Sequence, residues 1–356
     1  MCILLATLPV SFQSSAQAWP EPSPEAAAPL VGFGRAAGFV LNGSARRTLL
    51  STLDEFTAAY NGRPDKDNMC GVRFNHAFAI WLVVRHLQPK AIIESGVNAG
   101  VSTYMLRKAA PTALIISFDP RRKPRCGSRP ERWIDHTNNV YFAGPKFTDM
   151  TSMNWSSPTW RHRLDPESTL VYVDDHQNPM QRIKAMQKHG FRHMMLEDNY
   201  APPAAGDALT CKPADSCSVK AVLARGTKAG ETASWLREQL LAYAEVPPLV
   251  FWLPDYAAQD IASAPVTSAQ MHPQLLSQTA EPMLRPDLRP EDKRTLRKIE
   301  RVLNMTYVHA GESEQHVTPY QFRQAVSHGY MKRRWHLNFD LNMYLHIAYF
   351  KLRLET

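Results

Sequence analysis

The sequence predicts an α/β fold in which a doubly wound parallel sheet follows a group of N-terminal helices. Three observations predict this fold. Short apolar runs alternate with segments of helical periodicity between residues 90 and 200, as in repeated βαβ units. The first run ends at Glu94 and leads into a turn that contains Gly96 and Gly100. Two later runs end in acidic clusters, and parallel sheets of this type carry their functional groups at the carboxyl ends of the strands.

Two helices are predicted ahead of the sheet. Leucine and phenylalanine residues recur at helical spacing over residues 46–60, before the helix-breaking Gly62 and Pro64. The segment Phe74–Leu87 is mostly apolar and predicts a second helix that ends before Pro89. The sheet is therefore expected to begin at about residue 91.

The sheet elements follow in chain order. The predicted strands cover residues 92–94, 114–118, 140–142, 170–173 and 193–196, and the predicted crossover helices cover residues 101–109 and 179–189. Beyond residue 200 the pattern predicts a loop at 201–218, a helix at 231–244, a strand at 249–253, a loop-rich insertion at 257–290, a charged helix at 291–303 and a last strand at 343–352. The C-terminal part is therefore expected to be a loop-rich elaboration of the sheet.

Length and composition predict one large domain. The 356 residues are 44% hydrophobic, enough to bury a sizeable core, and no composition shift marks a second domain. We expect a single domain over residues 46–356, with its core at 90–200 and the elaboration at 201–356. No apolar run is long enough to predict a membrane span.

The positive charge of the chain is mostly diffuse. Lys and Arg number 41 against 33 for Asp and Glu, a formal charge of +8. A diffuse excess disfavours nucleic acid as a partner. Two basic clusters, Arg121 to Arg125 and Lys332 to Arg334, suit anionic glycans or phosphorylated ligands at least as well.

The N-terminus predicts entry into the secretory pathway. A short apolar run and the small-residue site Ala16-Gln17-Ala18 resemble a signal peptide over residues 1–18, followed by a Pro- and Ala-rich linker over 19–45. A disordered tail or a plastid transit segment is the alternative, with a plastid or cytoplasmic location. The secretory interpretation gives meaning to the glycosylation sequons at Asn42, Asn154 and Asn304.

Cysteine usage agrees with that interpretation. Removal of Cys2 with a signal peptide leaves an even set of four cysteines, whose pairing the sequence leaves open. Cys211 and Cys217 lie in one predicted loop, where we expect a disulfide bond. The cysteines lack the C-x-x-C spacing of a zinc site.

The glycine turn after the first strand predicts a binding site for a nucleoside-containing ligand. Glycines let the backbone approach a ligand closely, and the following helix N-terminus offers free N–H groups. Asp119 ends the next strand, where an acid can hydrogen-bond a ribose diol. The alternative is a tight packing turn with a surface acid.

These residues resemble the cofactor motif of class I S-adenosylmethionine-dependent methyltransferases. The segment Glu94 to Gly100 is similar to their first motif, and Asp119 stands where they place the ribose-binding acid. The resemblance covers residues 90–200. It implies a Rossmann-like methyltransferase sheet and S-adenosylmethionine as cofactor. The cofactor-binding residues that it implies are Glu94, Gly96, Asn98, Gly100, Ser102 and Asp119.

A second group of polar residues follows the fourth and fifth predicted strands. The group consists of Asp174, Asp175, His176, Glu197, Asp198 and Asn199. Neighbouring strand ends bring such groups together, and hard oxygen ligands suit Mg²⁺ or Mn²⁺ better than zinc. The alternative is a set of helix N-caps and solvated strand ends.

The second group also carries a family resemblance. Asp175-His176 and Asp198-Asn199 resemble the metal-binding pairs of catechol-type O-methyltransferases, and Glu197-Asp198 resembles the acidic pair of sugar O-methyltransferases and cephalosporin-hydroxylase-like enzymes. The implied metal ligands are Asp175, Asp198 and Asn199, with Glu197 as a further ligand. Two features depart from these families: no lysine follows His176 closely, and the glycine pair before the fifth strand is reduced to Gly190.

The predicted function is therefore transfer of a methyl group from S-adenosylmethionine to a hydroxyl group, assisted by Mg²⁺ or Mn²⁺. The expected acceptor is a carbohydrate or another small hydroxylated molecule. His176 is the predicted base, because histidine exchanges protons near neutral pH; a structural role is its alternative. His193 is expected to face the sheet or its flanking helices. Two rival functions remain: a hydroxylase- or hydrolase-like enzyme of the same fold, and a secreted binding or matrix protein without turnover.

Overall fold

The helices and strands form one mixed sheet with helices on both faces. The computed structural model describes residues 43–65, 72–125, 130–197, 199, 219, 222, 230–245 and 347–354. Its helices are α1 (Gly43–Asn61), α2 (Phe74–Leu87), α3 (Val101–Ala109), α4 (Pro158–Arg161), α5 (Pro179–Lys188) and α6 (Gly230–Gln239). Its strands are β1 (Ala91–Ser95), β2 (Leu114–Asp119), β3 (Asn139–Ala143), β4 (Thr169–Val173), β5 (His193–Leu196), β6 (Leu240–Glu245) and β7 (Ala348–Leu352).

Among these residues the sheet has seven strands in the order β3-β2-β1-β4-β5-β7-β6. Strands β1 to β5 are parallel, and β7 runs antiparallel between β5 and β6. The order reverses between β1 and β4, which makes the carboxyl end of this strand pair the topological switch point. The predicted fold class, a doubly wound Rossmann-like methyltransferase sheet preceded by helices, is confirmed.

The sheet separates two hydrophobic cores. Successive side chains of a strand point to opposite faces, so Ile92 packs with α1, α2 and α3 while Ile93 packs in the core that contains α5. The central strands β1, β2 and β4 are buried along their whole length, which explains their nearly continuous apolar runs. Each fully buried isoleucine of this kind stabilises the fold by about 1.5–3 kcal/mol.

Helix α2 lies between its neighbours α1 and α3. Every residue from Phe74 to Val84 is buried, so the helix shows no polar face, as expected for a helix surrounded by protein. Its last turn contains Arg85 and His86, and the chain leaves the helix at Gln88 in a left-handed conformation (φ 48°). Pro89 then prevents its continuation.

One predicted element is wrong in its second half. The sequence predicts a helix over 231–244, but the structure ends the helix at Gln239 and continues as β6. The buried Leu240, Ala242 and Tyr243 pair with β7, and this strand pairing outweighs the local helical preference. The periodicity of residues 231–244 gives no information about the strand with which they pair.

Other predictions lie outside the described residues. They are the signal peptide, the linker up to residue 42, all of the cysteines, the loop at 201–218, the strand at 249–253, the insertion at 257–290, the helix at 291–303 and the start of the strand at 343–352. The last residues of the predicted linker, 43–45, instead form the start of α1, which begins at Gly43. Within the described part of the chain, no helix is long and apolar enough to cross a membrane.

Candidate functional site

The glycine turn and the carboxyl end of β4 are joined at the switch point. The N–H of Asp174 donates to the carbonyl of Ser95 (2.8 Å), and the Ser95 hydroxyl donates to Asp175 Oδ2 (2.6 Å). Gly96 has φ +94°, and a Cβ there would lie 2.0 Å from the carbonyl oxygen of Asp174. Only glycine fits at this position.

Gly100, the second glycine of the turn, is required by a different neighbour. It has φ +85°, and a Cβ would lie 2.4 Å from the carbonyl oxygen of Trp133. The N–H of Trp133 in turn donates to the carbonyl of Ala99 (3.0 Å). The segment that contains Trp133 therefore packs directly against the start of α3, and close backbone packing explains both glycines.

Glu94 lies beneath the turn in the protein interior. Its carboxylate accepts hydrogen bonds from the hydroxyls of Ser102, Thr103 and Ser117, each at 2.7 Å, and it is fully buried. Burial raises the pKa of Glu94, and the three hydroxyls and Arg132 only partly oppose that rise. The predicted cofactor residues Glu94 and Ser102 thus contact each other and hold the first turn of α3 against β1 and β2.

Asp119 supports the turn from the end of β2. Its Oδ2 accepts from the N–H groups of Val97 (3.2 Å) and Asn98 (2.8 Å) and from an Nη of Arg132 (2.8 Å). Its Oδ1 accepts from the N–H of Arg121 (2.8 Å). The side chain of Asp119 is 5% exposed, so this acid is buried, whereas the packing alternative expected a surface acid.

Asn98 is a half-buried residue of the turn. It adopts a left-handed conformation (φ 44°), which asparagine tolerates better than most residues. Its carbonyl accepts from Arg132 Nε (2.7 Å), and its side-chain Oδ1 accepts from the N–H of Arg125 (2.9 Å). Asn98 therefore connects the glycine turn to the segment that follows β2.

Asp175, at the end of β4, is paired with an arginine. An Nη of Arg182, on α5, lies 2.8 Å from Asp175 Oδ2, and Arg182 also forms a forked pair with Asp149 at 2.5 and 2.9 Å. Burial alone would raise the pKa of Asp149, but hydrogen bonds from Arg182 and Thr151 outweigh it and lower this pKa to about 2. The Arg182 guanidinium thus bridges two carboxylates, those of Asp149 and Asp175.

The acids and amides after β5 have other partners. Glu197 Oε1 lies 2.5 Å from Nδ1 of His76, on α2, and both side chains are buried. The amide of Asn199 donates to the hydroxyl of Tyr243 (2.8 Å). Asp198 lies outside the described residues.

The predicted metal ligands therefore point to separate partners. Among the described residues, no group of three or more His, Cys, Asp or Glu side chains is arranged to hold a metal ion. An arginine 2.8 Å from Asp175 also disfavours a divalent cation on that carboxylate. The described members of the predicted ligand set, Asp175, Glu197 and Asn199, do not together form a metal site. Because Asp198 lies outside the described residues, the complete metal site stays a prediction.

The two histidines singled out from the sequence lie in different environments. His176 is exposed at the switch-point edge and adopts a left-handed conformation (φ 54°). His193 is half-buried in β5, where its Nδ1 lies 2.7 Å from the hydroxyl of Tyr349. Burial, with help from Lys351, lowers the pKa of His193 to about 4.

Three residues of this edge were missed by sequence reasoning: Arg132, Arg182 and His76. Each lies within 2.8 Å of one of the predicted acids but outside the motif that contains that acid. No local motif marks them, because an isolated basic residue in a loop or helix usually belongs to a solvated surface. Their burial, 9% exposed or less, is what distinguishes them.

Comparisons with known proteins give similarity to solved structures alone. No protein-family model and no curated protein matches the chain. A crystal structure of cofactor-bound Rv0187 from MTB matches with 17% sequence identity and a TM-score of 0.28, over 60% of this chain and 85% of that one. A similarity at this TM-score carries no argument, so the fold assignment depends on the strand order and the geometry of the switch point.

Proposed function

We propose that the chain binds S-adenosylmethionine at the glycine turn and transfers its methyl group to a hydroxyl group of a small molecule or glycan. The observation that carries the proposal is the position of the turn. It lies at the switch point between β1 and β4, with a buried acid at the end of β2 beside it. Open α/β sheets bind their ligands in this crevice.

The hydrogen bonds of Asp119 support a nucleoside ligand. A carboxylate has about four acceptor positions, two on each oxygen. Among the described residues, Oδ2 has three donors, whereas Oδ1 has only the N–H of Arg121. One acceptor position on Oδ1 is therefore available for a ribose hydroxyl, without the loss of any contact that fixes the turn.

The residues at the site have separable roles. S-adenosylmethionine, when bound, supplies an electrophilic methyl group on a sulfonium. The glycine turn and Asp119 would hold the nucleoside, and His176, exposed at the same edge, would accept the proton of the acceptor hydroxyl. The described residues offer no metal centre, so no step is assigned to a metal.

The test compares two buried acids that have the same type of partner. Asp119 and Asp135 are both buried and both lie 2.8 Å from an arginine, Arg132 and Arg107 respectively. We expect Asp119→Asn to weaken S-adenosylhomocysteine binding by about tenfold or more, the effect of one lost hydrogen bond to a charged group. Asp135→Asn should lose comparable stability and retain binding.

Calorimetric titration and thermal unfolding of wild type and both variants give the answer. An equal loss of S-adenosylhomocysteine affinity in the two variants would show that the loss follows from lower stability and not from a missing contact with Asp119. Absence of S-adenosylhomocysteine binding by the folded wild type would reject the proposal.

A second candidate function is ligand binding without turnover. The observation that favours it is that Asp119 and Asp175 are each paired with an arginine, so that neither of these two carboxylates is assigned as the base. The same titration separates the candidates when it is combined with an assay of methyl transfer to a panel of hydroxylated saccharides. If the protein transfers methyl groups and His176→Ala does not lower the rate, His176 is not the base.

A further inference from the structure

A cationic segment lies beside the glycine turn, at the carboxyl ends of β2 and β3. It comprises Arg121, Arg122, Lys123 and Arg125, whose side chains are all exposed. This cluster was noted in the sequence, but the proposed methyl transfer does not use it.

Backbone hydrogen bonds fix the cationic segment to the turn. The N–H of Arg121 donates to Asp119 Oδ1 (2.8 Å), and the N–H of Arg125 donates to Asn98 Oδ1 (2.9 Å). An Nη of Arg132 also donates to the carbonyl of Arg121 (3.2 Å). The two ends of the segment are thus held by the residues that form the candidate cofactor site.

The charges of the cationic segment are not neutralised within the described part of the chain. Ion pairs there include those of Arg107, Arg132 and Arg182, whereas the four cations of the segment form none with a described residue. The stem of Arg122 lies over Gly144 at the end of β3, 2.5 Å from the position of a Cβ there. Lys146 is exposed two residues further on and adds a fifth positive charge.

We propose that the cationic segment and Lys146 bind a ligand that carries several closely spaced phosphate or sulfate groups. A single exposed ion pair contributes little, so useful affinity requires several charges on one ligand. Arginine forks match the oxygens of phosphate and sulfate. The segment is short and the remaining charge excess is diffuse, which favours a small ligand or a glycan over nucleic acid.

This inference goes beyond the proposed methyl transfer and does not depend on it. If both are correct, the anionic molecule is the acceptor, held next to the cofactor turn. If the cofactor is not S-adenosylmethionine, the anion site is still expected to bind.

The test uses two variants with the same change in net charge. Arg121→Glu/Lys123→Glu reverses two charges of the cationic segment and retains the backbone hydrogen bonds of Arg121 and Arg125 that fix it. Lys90→Glu/Lys188→Glu reverses two exposed charges at the opposite edge, before β1 and at the end of α5. Calorimetry with wild type and both variants measures inositol hexakisphosphate, a heparin-derived hexasaccharide, adenosine 3′,5′-bisphosphate and a single-stranded RNA oligonucleotide. S-adenosylhomocysteine is titrated in parallel, and thermal unfolding checks the fold.

We expect at least one of the three small anions to bind wild type, with an affinity that falls as salt is added. The segment variant should bind about tenfold more weakly or worse, and the control variant within about twofold of wild type. The preferred anion distinguishes a phosphorylated compound, a sulfated saccharide and a nucleotide. Equal losses in the two variants, no binding of any small anion, or tighter binding of RNA than of all three would overturn the proposal. S-adenosylhomocysteine binding that is absent while anion binding persists would reject only the proposed methyl transfer.

Discussion

Substitution of Glu94 by glutamine and by alanine tests whether this buried acid is a structural support of the turn. The side chain is fully buried and accepts three hydroxyl hydrogen bonds of 2.7 Å, from Ser102, Thr103 and Ser117. Alanine would leave three buried hydroxyls without their acceptor, at about 1–3 kcal/mol each. Relief of the cost of burying a charge offsets part of this loss. We therefore expect Glu94→Ala to lower the free energy of unfolding by about 3–5 kcal/mol.

Glutamine at position 94 should cost much less. It has nearly the same shape, and a hydroxyl that donates to a carboxylate oxygen can rotate and accept from an amide. The neutral amide also avoids the burial of a charge. We expect a change of about 1 kcal/mol or less at neutral pH.

The pH dependence of stability distinguishes glutamate from glutamine. Burial raises the pKa of Glu94 above its ordinary value of 4.5, so the folded protein keeps this proton when the unfolded chain has lost it. The corresponding stability is fully present below pH 4.5 and is lost as the pH rises through the folded pKa. The stability of wild type relative to Glu94→Gln should therefore decrease with rising pH.

Urea denaturation of wild type, Glu94→Gln and Glu94→Ala over a pH series measures both effects. A wild-type-to-glutamine difference that does not vary with pH would refute the raised pKa. Equal destabilisation by glutamine and alanine would refute the account of the three hydroxyls.

Two further predictions concern Gly96 and His193. Gly96→Ala should cost several kcal/mol more than Gly190→Ala, about 4 against about 1 kcal/mol. Both glycines have positive φ, but an added Cβ meets the Asp174 carbonyl oxygen at 2.0 Å in the first case and only an ordinary contact at 3.6 Å in the second; urea denaturation decides, and similar costs would contradict the overlap. For His193, the folded pKa of about 4 lies below its ordinary 6.5, so its contribution to stability should be lost as the pH falls from 6.5 towards 4. The stability of His193→Gln should not show this loss between pH 6.5 and 4. If stability falls with pH as steeply in that variant as in wild type, the histidine does not titrate as described.

Local patterns predicted the centre of the fold closely. The predicted bounds of α2, α3 and β5 coincide with those observed, because apolar periodicity, Pro89 and the glycine turn mark them in the sequence itself. The end of α6 could not be predicted in this way. Its continuation as β6 depends on pairing with β7, at the far end of the chain, and no local preference encodes such a partner.

The candidate site, like the fold, could be predicted from the sequence only in part. Sequence reasoning placed Glu94, Asp119 and Asp175 at one edge of the sheet, and the ends of β1, β2 and β4 do lie side by side there. It could not assign their partners, because most of the hydrogen bonds to Glu94 and Asp119 come from other elements, which the tertiary structure brings together. A buried acid with internal donors and an exposed acid for a ligand have the same sequence signal.

The side chains paired with the acids determine which ligands this edge of the sheet attracts. On the β4 side of the glycine turn, the carboxylate of Asp175 is held by Arg182, so a divalent cation there would have to displace an arginine that is also paired with Asp149. Such a displacement leaves a buried guanidinium without one of its counter-charges, which is costly; Asp198, outside the described residues, would have to supply the compensating ligand. On the β2 side, exposed cations at positions 121–125 have no acidic partner among the described residues. The electrostatic potential therefore favours anions on the β2 side of the glycine turn, and on the β4 side the carboxylate is already paired with an arginine. A negatively charged ligand is thus better matched to this edge of the sheet than a metal ion.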